Sequence, residues 1–251
     1  MPTKVQTCSK FQVKNNLFYS LLTEVYKYLP EFNFTCLPFG ITWNFCRGFS
    51  GLKNMSFSDI NHIIQEIRET LATQFQAADA WFDAPENLRG YRPPRGSWTV
   101  DEILEHITLT NHFLLILIRK GGQKSLQLLE KGDLEVAAQH YFFHREKLED
   151  VGMLGSFVWV RPEHMEPIGA PPEEVRARLQ EQLAECLVWL DQLGQGAGIL
   201  YKTTMTVNEL GKIDVYEYLY FLAMHTRRHL MQMEENKRLF EAAPDPADDV
   251  E

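Results

Sequence analysis

The run IDVYEYLYFLAMHTRRHLMQMEENKRLF, residues 213–240, decides the fold. Within it Val215, Leu219, Leu222, Thr226 and Met233 recur at the period of a helix that lays one apolar stripe on a core. His225 and His229 stand four residues apart on the margin of that stripe, so both rings leave one side of the helix, one turn apart, and face inward. A helix of this kind needs other helices to cover its stripe.

The partners lie upstream. A polar link containing Gly211 and a Gly-rich turn separate this helix from a third one, opened by Pro172, running through Val175, Leu179, Leu183, Cys186, Leu190 and Leu193, and closed by Gly194. Residues 151–172, with Trp159, Pro162, Pro167 and Pro171, read as an irregular covering loop, and residues 123–150 as shorter helical stretches. A second long helix opens with the capping pair Thr99 and Glu102, carries Ile103, Leu104, Ile107, Leu114, Leu117 and Ile118 as its apolar stripe, and is expected to stop at Gly121 and Gly122. Residues 84–97 hold Pro85, Gly90, Pro93, Pro94 and Gly96 and read as a loop. The first helix starts behind Ser56 and Asp59 and continues through Ile60, Ile63, Ile67, Leu71, Phe75 and Phe82, an antiparallel companion for the second. With no convincing strand between them, the four long helices predict an all-α four-helix bundle with a long crossover between helices two and three.

Composition narrows the function. The 251 residues are 45% hydrophobic and 24% charged, with a net charge of −9 and a pI near 5.4, a balance that argues against nucleic acid as a partner. The longest apolar run, His112–Ile118, is followed at once by Arg119 and Lys120, so no membrane span is expected. Residues 1–54 differ from the rest: they carry a net +4, three of the four cysteines (Cys8, Cys36 and Cys46) and 11 of the 30 aromatics, while residues 55–251 carry −13. We read them as an atypical N-terminal extension, either disordered or translated from an upstream start, with a transit peptide as the weaker alternative. Residues 55–241 form the expected bundle and residues 242–251 a disordered acidic tail. The irregular cysteine spacing contains no Cys-x-x-Cys pair, which fits idle or buried thiols in a reducing cytoplasm.

The chemistry rests on histidine. His106 falls beside Ile103, Ile107 and Thr110 on the inward side of helix two, facing the pair His225 and His229. Three inward imidazoles from two helices can hold a divalent metal and leave a position open. The other spacing of four, His140 and His144, sits among polar neighbours and reads as a solvated face or pocket wall. His62, His112 and His164 are expected to be structural or exposed. Glu102, one turn before His106, and Glu105 beside it are expected to support a histidine, and Trp98, Trp159 and Met165 are candidates for a pocket wall.

The segments SWTVDEILEHI (residues 97–107), HMEPIGAPPEEV (residues 164–175) and GKIDVYEYLYFLAMHTRRHLMQM (residues 211–233) resemble the DinB and YfiT superfamily of metal-binding four-helix bundles, over residues 57 to about 241. The resemblance implies a divalent metal on His106, His225 and His229. Arg228 and Gln232 also match the usual ending of the last helix. Some relatives transfer or isomerise thiol adducts and others are described as hydrolases, so the resemblance fixes the site better than the substrate.

Zn, Ni, Fe and Mn all suit such a ligand set. The expected function is a metal-dependent enzyme that activates a thiol or water for thiol S-transfer or hydrolysis, acting on a small-molecule or thiol substrate. The alternatives are a metal-holding bundle without turnover and a scaffold whose histidines are plain core. Helix two carries more apolar surface between Phe113 and Ile118 than one stripe needs, so it is covered either by residues 123–172 or by a second copy in a homodimer.

Overall fold

The structure is a computed structural model that describes residues 56–132, 134–158 and 162–243. The expectations for residues 1–54, Trp159 and most of the acidic tail lie outside the described residues.

Four long helices carry the fold: α1 (Phe57–Ala80), α3 (Val100–Leu129), α6 (Pro172–Gln192) and α7 (Val215–Glu241). Three of them begin with a full capping box, in which a side-chain oxygen and a carboxylate three residues on satisfy each other's backbone N–H: Ser56 with Asp59, Thr99 with Glu102, and Asp214 with Glu217. The fourth opens on Pro172, whose missing N–H is no loss in a first turn.

Side-chain contacts set the directions. Gln182 of α6 meets Asn111 and the Thr108 carbonyl of α3, Arg119 pairs with Glu185, and Gly122 abuts Trp189, so α3 and α6 run parallel. Asn236, near the end of α7, donates to the Trp98 carbonyl before α3, while Gly121 faces Val215 at the start of α7, so these two are antiparallel. Arg176 pairs with Asp79 and Arg68 with Asp191, making α1 and α6 antiparallel. Around the bundle the order is α1, α7, α3, α6, with α1 packed on α6 and α7, and α3 packed on the same two. Helices α1 and α3 are thus antiparallel but sit on a diagonal. The parallel pair α3 and α6 requires the long crossover.

Fully buried Ile60, Ile67 and Leu71 of α1, Ile103, Ile107 and Ile118 of α3, and Leu219 and Leu222 of α7 fill the centre. Each contributes about 1.5–3 kcal/mol of apolar burial.

Three sequence expectations change. Helix α3 does not stop at Gly121 and Gly122 but continues to Leu129. Both glycines are buried inside it because neighbours come too close for a side chain: a Cβ on Gly122 would lie 2.5 Å from Trp189 Cε3, and one on Gly121 would lie 3.0 Å from Val215 Cγ2. The proline-rich segment after α1 holds a one-turn helix, α2 (Glu86–Arg89). Between α6 and α7 the chain forms an antiparallel hairpin, β1 (Lys202–Met205) with β2 (Gly211–Asp214), pairing Thr203 with Ile213 and Thr204 with Lys212. The crossover contains two short helices, α4 (Leu134–Gln139) and α5 (Arg145–Val151). Among the described residues no helix is long and apolar enough to cross a membrane.

Candidate metal centre

Helix α3 brings His106 and helix α7 brings His225 and His229 to one buried point. One ring nitrogen from each lies within 4.8 Å of the other two. The two rings of α7 are placed by their spacing of four, and the antiparallel packing of α3 supplies the third from the opposite wall.

Hydrogen bonds fix which nitrogen two of the rings present. His106 Nδ1 lies 2.7 Å from the Met165 carbonyl oxygen, which can only accept, so the proton sits on Nδ1 and Nε2 keeps its lone pair. His229 Nδ1 stands 3.0 Å from Gln232 Oε1, which orients that ring in the same way. His225 Nε2 and His229 Nε2 are 3.1 Å apart. Nitrogens about 2.0–2.1 Å from a tetrahedral zinc would be about 3.3 Å from one another, so this pair already has the spacing of two ligands on one ion.

Burial, reinforced by His229, His106 and then Arg228, holds the His225 imidazole well below its usual pKa of 6.5 and therefore neutral, as a metal ligand must be. The Trp98 ring leans on His106 at 4.7 Å between centroids, and Phe221, one turn before His225, stacks nearly parallel to that ring. The Arg228 guanidinium donates to the Met153 carbonyl, tying the crossover to the helix beside His229.

The remaining candidates fall elsewhere. His62, His112, His140 and His164 are exposed. His164 lies edge-on against Phe113, so the crossover covers part of the apolar surplus of α3, while Ile116 and Leu117 remain exposed. His140 and His144 share no helix face, because residues 141–144 are not helical. His144 instead sits 2.5 Å from Glu217 Oε1, a buried carboxylate that also accepts from the His144 and Asp214 backbone amides. Burial and the neighbouring Glu217 push the Asp214 carboxyl well above the ordinary range.

Neither Glu102 nor Glu105 hydrogen-bonds a histidine ring. Glu102 closes the cap of α3 and pairs with Arg92 at 2.6 Å. Glu105, buried to 2% exposure, points to the crossover, where its two oxygens accept the backbone N–H groups of Ile168, Gly169 and Ala170 at 2.9–3.2 Å. The groups that do support the histidines are the Met165 carbonyl and Gln232. The first, a backbone atom, has no sequence signature, whereas the spacing of three between His229 and Gln232 was open to reading.

The sequence pattern of the DinB superfamily matches residues 64–233. The chain belongs to the DinB superfamily. No curated protein and no solved structure shows a significant match to it. The DinB match spans all three histidines and the whole crossover, and a buried histidine triad in a DinB chain fits a metal-binding site.

Proposed function

We propose that this DinB-superfamily chain is a metal-dependent enzyme in which His106, His225 and His229 hold one divalent ion and a small-molecule thiol or water is activated for S-transfer or hydrolysis. The observation that carries the reading is the convergence of three buried imidazoles, two of them with Nδ1 already given to an oxygen acceptor. An ion of this kind supplies Lewis acidity that favours the deprotonated form of a thiol or water. The chain's part is to keep the His225 imidazole neutral, hold the Nδ1 protons of His106 and His229 away from the centre, and cover the site with Trp98 and the crossover. Zn, Ni, Fe and Mn all remain compatible with three nitrogen ligands. A cytoplasmic setting belongs to the same proposal and rests on Cys186, an unbridged thiol that burial pushes up in pKa and renders inert.

One observation favours a second reading, a metal-holding bundle without turnover. The carboxylates nearest His106 in sequence, Glu102 and Glu105, are both committed to other partners and leave neither as a ready general base. Elemental analysis of protein purified without an affinity tag tests the metal, with about one equivalent expected. Assays of the loaded protein on thiol conjugates and small amides then separate the readings: turnover lost in His229→Ala supports the enzyme, and bound metal with no turnover supports the bundle.

A further inference from the structure

We propose that Glu105 is a positioning residue for the metal centre: by gripping the backbone of the crossover it holds the Met165 carbonyl against His106 and so selects the tautomer that presents Nε2 to the ion. This rests on the metal reading above and extends it to a residue whose carboxylate bonds backbone amides and none of the three imidazoles.

Glu105 precedes His106 on α3, so its side chain leaves the helix about 100° round from the imidazole and reaches a different wall. There it meets three successive amides. Ile168 N–H donates to one carboxylate oxygen at 3.1 Å, and Gly169 and Ala170 N–H donate to the other at 2.9 and 3.2 Å. Gly169 has φ +84°, a conformation a side chain resists, and this turn lets consecutive N–H groups point to one side as an anion-binding nest. A buried carboxylate is costly unless hydrogen-bonded, and the nest supplies that bonding. Three residues before Ile168 stands Met165, whose carbonyl accepts from His106 Nδ1, and Met165 Sδ lies 3.8 Å from the Thr110 hydroxyl one turn beyond His106. The segment between Met165 and Ala170 is therefore pinned to α3 on both sides of the ligand. Release of the Glu105 end frees the carbonyl that fixes the His106 proton. Without that acceptor an imidazole divides between its two tautomers, only one of which offers Nε2 as a donor atom.

The test uses the full-length protein, metal-free and zinc-loaded, as wild type, Glu105→Gln, Glu105→Ala and Gly169→Ala. Gly169→Ala disturbs the nest through its φ alone, since nothing lies within 4 Å of the added methyl. The first readout is the long-range ¹H–¹⁵N spectrum of the His106 ring without metal, and the second is zinc affinity against a competing chelator. Wild type should show a single Nδ1–H tautomer. Both Glu105→Ala and Gly169→Ala should show mixed tautomers and bind zinc about 10- to 100-fold more weakly while still unfolding cooperatively, with Glu105→Gln between them and wild type. Folded variants that keep the single tautomer and wild-type affinity would overturn the proposal, and Gly169→Ala and Glu105→Gln decide it should Glu105→Ala not fold. If wild type binds no zinc but the tautomers shift as described, the metal reading fails and the positioning role stands.

Discussion

The Nε2 atoms of His225 and His229 face each other across 3.1 Å. Since His229 gives its Nδ1 proton to Gln232, its Nε2 carries a lone pair aimed at its neighbour, an arrangement that a shared proton or a shared cation relieves.

A cation that binds the folded chain and not the unfolded one stabilises it in proportion to ligand excess. At free zinc a hundredfold above Kd the gain is about 2.7 kcal/mol. Thermal unfolding with zinc and with a chelator should differ accordingly in wild type, and the difference should vanish in His229→Ala. An equal gain in that variant would place the ion elsewhere.

Acid should weaken the metal-free fold through His225. Its folded-state pKa lies well below 6.5, so beneath that value the unfolded chain binds more protons than the folded one. The contribution is complete above about pH 6.5 and is lost as pH falls toward the folded pKa. Urea midpoints measured with a chelator between about pH 5 and 7.5 should therefore rise more steeply with pH in wild type than in His225→Gln. Equal slopes would show that burial does not hold this ring neutral.

At Gly122 two effects oppose each other. Alanine gains about 1 kcal/mol of helix propensity over glycine, but its methyl would intrude on the Trp189 ring, and overpacking costs about 1–3 kcal/mol. Gly122→Ala should be destabilised in denaturant titrations, and Trp189→Leu should recover part of the loss in the double variant.

Glu217 accepts three hydrogen bonds from a fully buried position. Glu217→Ala leaves the Asp214 and His144 donors without their acceptor, at about 1–3 kcal/mol for each buried group left unpaired. The loss of unfolding free energy should exceed that of Glu217→Gln, which keeps one acceptor oxygen.

We further propose that residues 55–241 are sufficient for the fold and the metal. A chain beginning at Met55 should unfold cooperatively and retain the zinc affinity of the full-length protein. Light scattering of the same protein reports whether exposed Ile116 and Leu117 seal a homodimer, as a doubled mass, or stay bare in a monomer.

The helices were legible because their stripes are periodic: Ile60 to Phe75, Ile103 to Ile118 and Val215 to Met233 each give one apolar face, and the three histidines fall on those faces. What misled was local ambiguity. A glycine pair that ends a helix and one that admits a tryptophan look alike in one dimension, and Gly121 and Gly122 are of the second kind. Strands as short as Lys202–Met205 and Gly211–Asp214 hold too few residues for alternation to register. The capping box of Asp214 and Glu217 was readable from its spacing. The destination of Glu105 was not, because its partners are backbone amides far along the chain.

Every residue from Ile213 to Thr226 is buried, so the first half of α7 has no face turned to water. Helices α1, α3 and α6 are synthesised before it, and until it arrives the inward faces of α1 and α3 lack the helix that covers them. We therefore expect the bundle to close late, by insertion of its most continuously buried segment, with those inward faces open to aggregation while translation proceeds. His225 travels with that segment, so the centre it helps to form matures only when the last helix docks.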